Sequence, residues 1–411
     1  MKVLHIIAGN LSGGAARGAY WLHQGLLAQG VDSKIYTTSR TSLNDDTVTT
    51  VFVSNKNKVA TIIFALIDKL STIFYRKRKR LIFSTGMVGQ NFTNSVEYKE
   101  ADIIHLHWIN DGFVNMRHLS KIINKPVIWT MRDMWPMTGG CHYAMGCEKF
   151  KTGCGRCPQL SSNSTMDLSR LVLSYKKKYL SKTIKLVGIS DWLSEQAHES
   201  EVFKGFDIRT IHNCINTKTF FPVEKRVARE LLGINTGKKV VLAGSTSATD
   251  FYKGFDKYID SLKLLDNNMY HLCFFGELDQ ELVKSTGLDF TSLGYLQDNI
   301  SMRLAYSCAD VYVAPSIMDA FGKTIVESMA CGTPVVCFDA TGPKDLVTHM
   351  KDGYKAVPFK PESLAEGIKW IVFSSDYGML CENARDNAVL KFDAKNIAET
   401  YTQLYKEVLI K

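Results

Sequence analysis

No stretch of about 18 consecutive apolar residues occurs in the chain, so none of its helices is expected to span a bilayer. No secretory leader is expected either: Met1-Lys2 opens directly onto Val3-Leu4-His5-Ile6-Ile7, which reads as a strand, and Gly9 follows at once. Internal repeats and low-complexity tracts are absent, which sets aside repeat architectures and unfolded tails. Ten cysteines without an export signal then point to reduced thiols or metal ligands rather than a disulfide framework. The expected location is the cytoplasm, extending to the inner face of the cell membrane.

What is present suits two globular domains of nearly equal size. The chain has 411 residues, and 45% apolar content with six tryptophans supplies ordinary cores. The formal charge of +9 fits a phosphate-bearing substrate, an anionic membrane or nucleic acid alike. Apolar strand-like runs alternate with helical patterns, which predicts a parallel α/β architecture. Strands are expected at Val3–Ile7, Ser33–Thr37, Ile103–His107, Val127–Met131 and Leu186–Ile189. In the second half they are expected at Lys239–Ala243, Tyr270–Phe275, Val311–Ala314 and Val335–Phe338. Residues Ile208–Pro222 read as the linker. The domains are therefore set at 1–205 and 206–395, with a helical tail over 396–411.

Strand 1 runs into Gly9-Asn10-Leu11-Ser12-Gly13-Gly14, ahead of a helix from about Ala15. Such glycines let backbone N–H groups approach an anion at a helix N-terminus. Dinucleotide-binding proteins share this feature but want an acid at the end of strand 2. Here that strand ends Tyr36-Thr37-Thr38-Ser39-Arg40, which argues against NAD and leaves a simple tight turn as the bland reading. Ile103–Trp108 reads as a strand ending in two histidines, His105 and His107, expected on opposite faces. His107 lies nearer the carboxyl end, where open α/β sheets place ligands. A satisfied core imidazole is the alternative. The next strand ends Met131-Arg132-Asp133.

Cys141, Cys147, Cys154 and Cys157 fall together in an insertion over about 138–160. Four soft thiolates with one Cys-x-x-Cys pair and intervening glycines suit a tetrahedral structural zinc site. His142 is a candidate to replace one thiolate. An iron–sulfur cluster, two disulfides and unliganded thiols remain as alternatives.

The most informative stretch is 315–336, Pro-Ser-Ile-Met-Asp-Ala-Phe-Gly-Lys-Thr-Ile-Val-Glu-Ser-Met-Ala-Cys-Gly-Thr-Pro-Val-Val. Asp319 and Glu327 flank a Phe-Gly turn and a short helix from about Lys323 to Cys331, which Gly332 can end in a left-handed conformation. The block resembles the nucleotide-sugar site of retaining GT-B glycosyltransferases of the polysaccharide-biosynthesis type, in particular glycosyltransferase family four. That family's usual form has two glutamates separated by seven residues. This chain keeps the spacing, with Asp319 in the first place.

The resemblance implies two Rossmann-like domains facing across a cleft and a nucleotide diphosphate sugar as donor. It implies a saccharide or lipid-linked saccharide as acceptor. His107, Lys253, Asp319 and Glu327 would carry catalysis. Gly13, Gly14, Tyr295, Phe321, Gly322 and Lys323 would join Lys253, Asp319 and Glu327 on the donor, and Arg132 and Asp133 would contact the acceptor. Relatives carry an arginine early in the loop after Lys239–Ala243, and here a Ser/Thr-rich segment, Ser245-Thr246-Ser247-Ala248-Thr249, replaces it. Lys253 just before Gly254 would then bear more of the leaving diphosphate's charge. No acidic dyad for a donor-bound metal is evident, so catalysis is expected to need no cofactor. A nucleotide-sugar epimerase of related fold and a non-catalytic nucleotide-sugar-binding subunit are the rivals.

One segment stands apart. Val59–Phe74 sets Ile62, Ile63, Leu66, Ile67, Leu70, Ile73 and Phe74 at helical spacing, and Arg76-Lys77-Arg78-Lys79-Arg80 follows. Anionic lipid head groups would favour this pairing. No nucleic-acid motif accompanies the basic run, so a peripheral membrane helix is expected, against a core helix with a solvated tip.

Overall fold

The computed structural model describes residues 1–39, 44–50, 55–122, 124–245, 250–277 and 279–410. Arg40 and the Ser/Thr-rich residues 246–249 lie outside these. The chain divides into two compact units, one comprising Met1–His212 with Ala394–Lys411 and the other Asn213–Asp393.

The first unit holds strands β1 (Lys2–Ile7), β2 (Asp32–Thr37), β3 (Val48–Thr50), β4 (Ile103–Leu106), β5 (Val127–Met131), β6 (Lys185–Gly188) and β7 (Ile208–Thr210). They form one sheet in the order β3-β2-β1-β4-β5-β6-β7, parallel at every pairing. The second unit holds β8 (Lys239–Ser245), β9 (Tyr270–Gly276), β10 (Asp289–Ser292), β11 (Val311–Ala314), β12 (Val335–Phe338) and β13 (Gly353–Ala356). Its parallel sheet runs β10-β9-β8-β11-β12-β13. The inner strands β4, β5, β11 and β12 are buried at every position, as strands covered by helices on both faces must be.

Ile208–Thr210, expected to open the linker, is instead edge strand β7 of the first unit. The chain's last helix, Ala394–Ile410, belongs to that unit as well. It lies against the helix Gly14–Leu27 so closely that a Cβ on Gly25 would stand 2.6 Å from the carbonyl oxygen of Ala394.

The helix expected over Val59–Phe74 runs Asn55–Leu70 and passes into a turn over 71–74. Its burial is inverted. Thr61 and Asp68 are buried, and an Asp68 carboxylate oxygen accepts from the Thr85 amide at 3.0 Å. Val59, Ile62, Ile63, Leu66, Ile67 and Leu70 are exposed, as are Ile73 and Phe74, the last at 88%. No helix of the described residues is long and apolar enough to cross a membrane.

Candidate functional site

In the second unit, backbone packing sets the charged groups. The single turn Phe251–Lys253 ends at Gly254, whose φ of 68° suits glycine. A Cβ there would lie 2.0 Å from the Pro315 carbonyl oxygen, so only glycine lets the two loops meet. The amides of Ile317 and Met318 donate to the Tyr252 carbonyl at 2.8 and 3.2 Å, joining the loops. Lys253 Nζ thereby donates to Asp319 Oδ2 at 2.9 Å. Burial pushes the Asp319 carboxyl up, but the Lys253 charge and hydrogen bond, with the Phe321 and Gly322 amides, outweigh it and hold the group below its ordinary value.

The helix Lys323–Ala330 starts after Gly322, at φ 99°, and Gly332 follows its end at φ 75°. Its i, i+4 spacing puts Lys323 Nζ on Glu327 Oε1 at 2.6 Å. Glu327 is 0% exposed, and its Oε2 accepts from the Tyr306 hydroxyl at 2.9 Å. Burial, and then the Glu327 charge, push the Tyr306 phenol well above its ordinary value. Tyr306 had no sequence signal: it is one buried aromatic on the helix Asn299–Cys308, and only the fold brings it to Glu327. Tyr295 is exposed, beside Gly294, whose carbonyl accepts from the Gly276 amide. The Phe321 ring is buried against Phe392, and its backbone amide donates to Asp319 Oδ1.

In the first unit, Gly13 and Gly14 head the helix Gly14–Leu27 with no side-chain cap. A Cβ at either would meet nothing within 4 Å, and neither has a left-handed φ. Packing therefore does not demand glycine at these positions.

His105 and His107 do not lie on opposite faces. Residues two apart on a strand share a face, and their rings are 4.2 Å apart. His107 is 1% exposed; its Nε2 bonds His5 Nδ1 at 2.8 Å, and its Nδ1 accepts from the Arg132 guanidinium at 3.1 Å. His105 bonds the Tyr405 hydroxyl and Thr130 Oγ1, each at 2.7 Å. Among the described residues these three histidines form the one group with metal-ligating atoms all within 4.8 Å of one another. Both ring nitrogens of His105 and of His107 are already bonded, and His5 Nε2 is the one nitrogen of the trio without a partner, so the trio is a hydrogen-bonded core rather than a set of three free ligands. Burial, and then neighbouring positive charge, lower all three well below the ordinary histidine value, which keeps the rings neutral.

Arg132 and Asp133 are buried too. Asp133 Oδ1 accepts from the Trp135 amide at 2.8 Å, and its Oδ2 accepts from Trp108 Nε1 at 3.0 Å and lies 2.7 Å from His142 Nδ1. The other ring nitrogen of His142 bonds Ser84 Oγ at 3.0 Å. His142 is therefore not a substitute thiolate, because both its nitrogens serve this network. Cys141, Cys147, Cys154 and Cys157 are free thiols around one cavity. Burial pushes Cys141 and Cys154 up to about 12.

The comparisons agree with this architecture. Residues 12–219 match the profile described as Glycosyltransferase Family 4, just over half of the chain, and residues 224–390 match Glycosyl transferases group 1. An uncharacterized glycosyltransferase of Methanocaldococcus jannaschii is 25% identical over 74% of this chain and 75% of its own. The putative colanic acid biosynthesis glycosyl transferase WcaC of Escherichia coli K12 is 22% identical over the same shares. The N,N'-diacetylbacillosaminyl-diphospho-undecaprenol alpha-1,3-N-acetylgalactosaminyltransferase of Campylobacter jejuni is 26% identical over 47% of this chain and 53% of its own. Among solved structures, sucrose-phosphate synthase from Thermosynechococcus elongatus covers 100% of both chains at a TM-score of 0.71 and 20% identity. Anabaena HepE in complex with UDP-glucose covers 99% of this chain and 100% of its own at 0.62 and 17%. With two parallel-sheet units and both family profiles matched in order along the sequence, the chain belongs to the family-four, group 1 glycosyltransferases of the GT-B fold.

Proposed function

We propose that this glycosyltransferase moves a hexose or deoxyhexose from a nucleotide diphosphate sugar to a saccharide or lipid-linked saccharide, with retention of configuration, in cell-surface polysaccharide synthesis. The observation that carries this reading is the paired arrangement Lys253–Asp319 and Lys323–Glu327 around one helix N-terminus. Each lysine is held by a carboxylate that a donor can replace. A diphosphate draws Lys253 and Lys323 to its oxygens, as negative charge builds on the leaving group. That frees Glu327 to accept from ribose hydroxyls and Asp319 to meet the transferred sugar. Gly13 and Gly14, with open space above them, leave room for the donor diphosphate or the acceptor. His107 acts as a neutral, fixed group, with Arg132 and Asp133 on the acceptor side. No divalent metal is needed, because the lysines supply the positive charge. The undecaprenol-linked substrate named for the Campylobacter relative and the UDP-glucose bound by HepE support the acceptor and donor classes.

The inverted helix Asn55–Leu70 supports a lipid-linked acceptor. Its exposed apolar face and the following run Arg76–Arg80 fit an anionic bilayer, with side chains in the acyl boundary and bases at the head groups.

Nucleotide release with a donor panel, with and without lipid-linked acceptor, tests the reading. Acceptor-dependent release with a transfer product is expected without added divalent metal, in a chelator too weak to strip zinc. Acceptor-independent release from the donor returns the epimerase, and binding without turnover returns the scaffolding subunit. Flotation with anionic liposomes is expected to fail once residues 76–80 are neutralised; undiminished binding would remove the membrane contact.

A further inference from the structure

The segment around residues 138–160 has almost no regular structure of its own, one short turn at Lys149–Lys151 apart. It also holds unfavourable backbone. Met145, Cys154 and Arg156 all have left-handed φ, at 50°, 57° and 46°. Non-glycine residues adopt this only where the surroundings over-determine them. Yet the segment is nearly the same everywhere in one respect: its four cysteines face one cavity, walled by Phe83 and Phe150.

A buried charge beside the four thiols points to a metal there. Lys176, on the helix Leu168–Tyr179, is 0% exposed. Its Nζ donates to the carbonyls of Trp135 and Thr138 and sits 3.8 Å from the Trp135 ring centre. No carboxylate of the described residues pairs with it within 4.0 Å, and its electrostatic partners are the sulfurs of Cys141 and Cys154 and, after them, the more distant carboxylates of Asp133 and Asp68. A buried ammonium needs a counter-charge.

We infer that Cys141, Cys147, Cys154 and Cys157 bind one zinc ion in a closed tetrahedral site, with Lys176 as its buried counter-charge. Binding releases four thiol protons, and the four thiolates leave a net −2 around Zn²⁺ that Lys176 partly offsets. The sulfurs are not all within 4.8 Å of one another here, so Zn–S bonds of about 2.3 Å draw the loop inward. With no open coordination position the ion is structural. It staples the segment that carries His142, and through His142 it fixes Asp133.

The full chain, purified reduced and without chelator, is the sample. Elemental analysis is expected to find about one zinc per chain, with an all-sulfur coordination shell by X-ray absorption. The double variant Cys154→Ser/Cys157→Ser is expected to lose it. Because that variant can fail to fold, the wild-type protein supplies a second measurement. Stripping with a strong chelator should expose four titratable thiols and lower the melting temperature, and added zinc should restore both. Zinc-free protein with four reactive thiols, iron–sulfur absorbance, two mapped disulfides, or zinc bound through nitrogen and oxygen would each overturn the site.

Discussion

The histidine cluster of the first unit and the lysine–carboxylate cluster of the second hold polar groups inside the protein by opposite means. His5, His105 and His107 are neutral and bonded to hydroxyls, to the Arg132 guanidinium and to one another, with only His5 Nε2 left without a partner. Lys253, Asp319, Lys323 and Glu327 are charged and satisfied by opposite charge. A neutral network has little to offer an incoming phosphate. On the proposed reading, the charged one supplies two lysines that a diphosphate sugar would draw from their carboxylates.

The sharpest way to break this contrast is Lys253→Ala. Loss of the charge aimed at the leaving diphosphate is expected to lower kcat by roughly 10²–10³-fold. The melting temperature should hardly move, since the pair with Asp319 is partly exposed and weak in stability terms. Activity within a few-fold of wild type in steady-state assays would make the pair merely structural.

Acid separates the clusters next. His5, His105 and His107 titrate well below the ordinary histidine value in the folded state, and His23 at about 4. Unfolded histidine titrates near 6.5. Below that pH the unfolded chain binds more protons than the folded one, so stability falls as pH drops from about 6.5 toward 4. Asp319 is lowered instead, so its contribution is lost only below the unfolded value of about 3.9. Half-buried His271 gives the second unit a weaker version of the histidine effect. Five of the six tryptophans (Trp21, Trp108, Trp129, Trp135 and Trp192) lie in the first unit, so their fluorescence reports its melting. A fall of several degrees is expected between pH 7 and 5, and a flat profile would contradict the neutral cluster.

The mildest change is Asp319→Glu, which restores the family's usual residue and adds one methylene. Folding should be unaffected, while rate or donor choice shifts by a few-fold. If neither changes across a donor panel, Asp319 does not touch the sugar.

The central strands of both sheets were legible in the sequence because burial on both faces makes them continuous apolar runs. The strands that were not legible, β3, β7, β10 and β13, are the four sheet edges. Edge strands are short and carry polar residues, as in Asp289-Phe290-Thr291-Ser292, so no run marks them. The charged groups of the second unit were legible because a loop and one helix carry them at fixed spacing. Tyr306 was not, since its meeting with Glu327 depends on how two helices pack. The inverted helix was legible only as a periodicity: spacing identified the apolar stripe but not which way it faced.

Tyr401 and Tyr405 come from the chain's last helix, yet their hydroxyls bond Thr130 and His105 in the interior of the first unit. The first unit is therefore completed by residues that follow the whole of the second unit in sequence. A chain stopped before Ala394 would lack the hydroxyl partners of those two core residues.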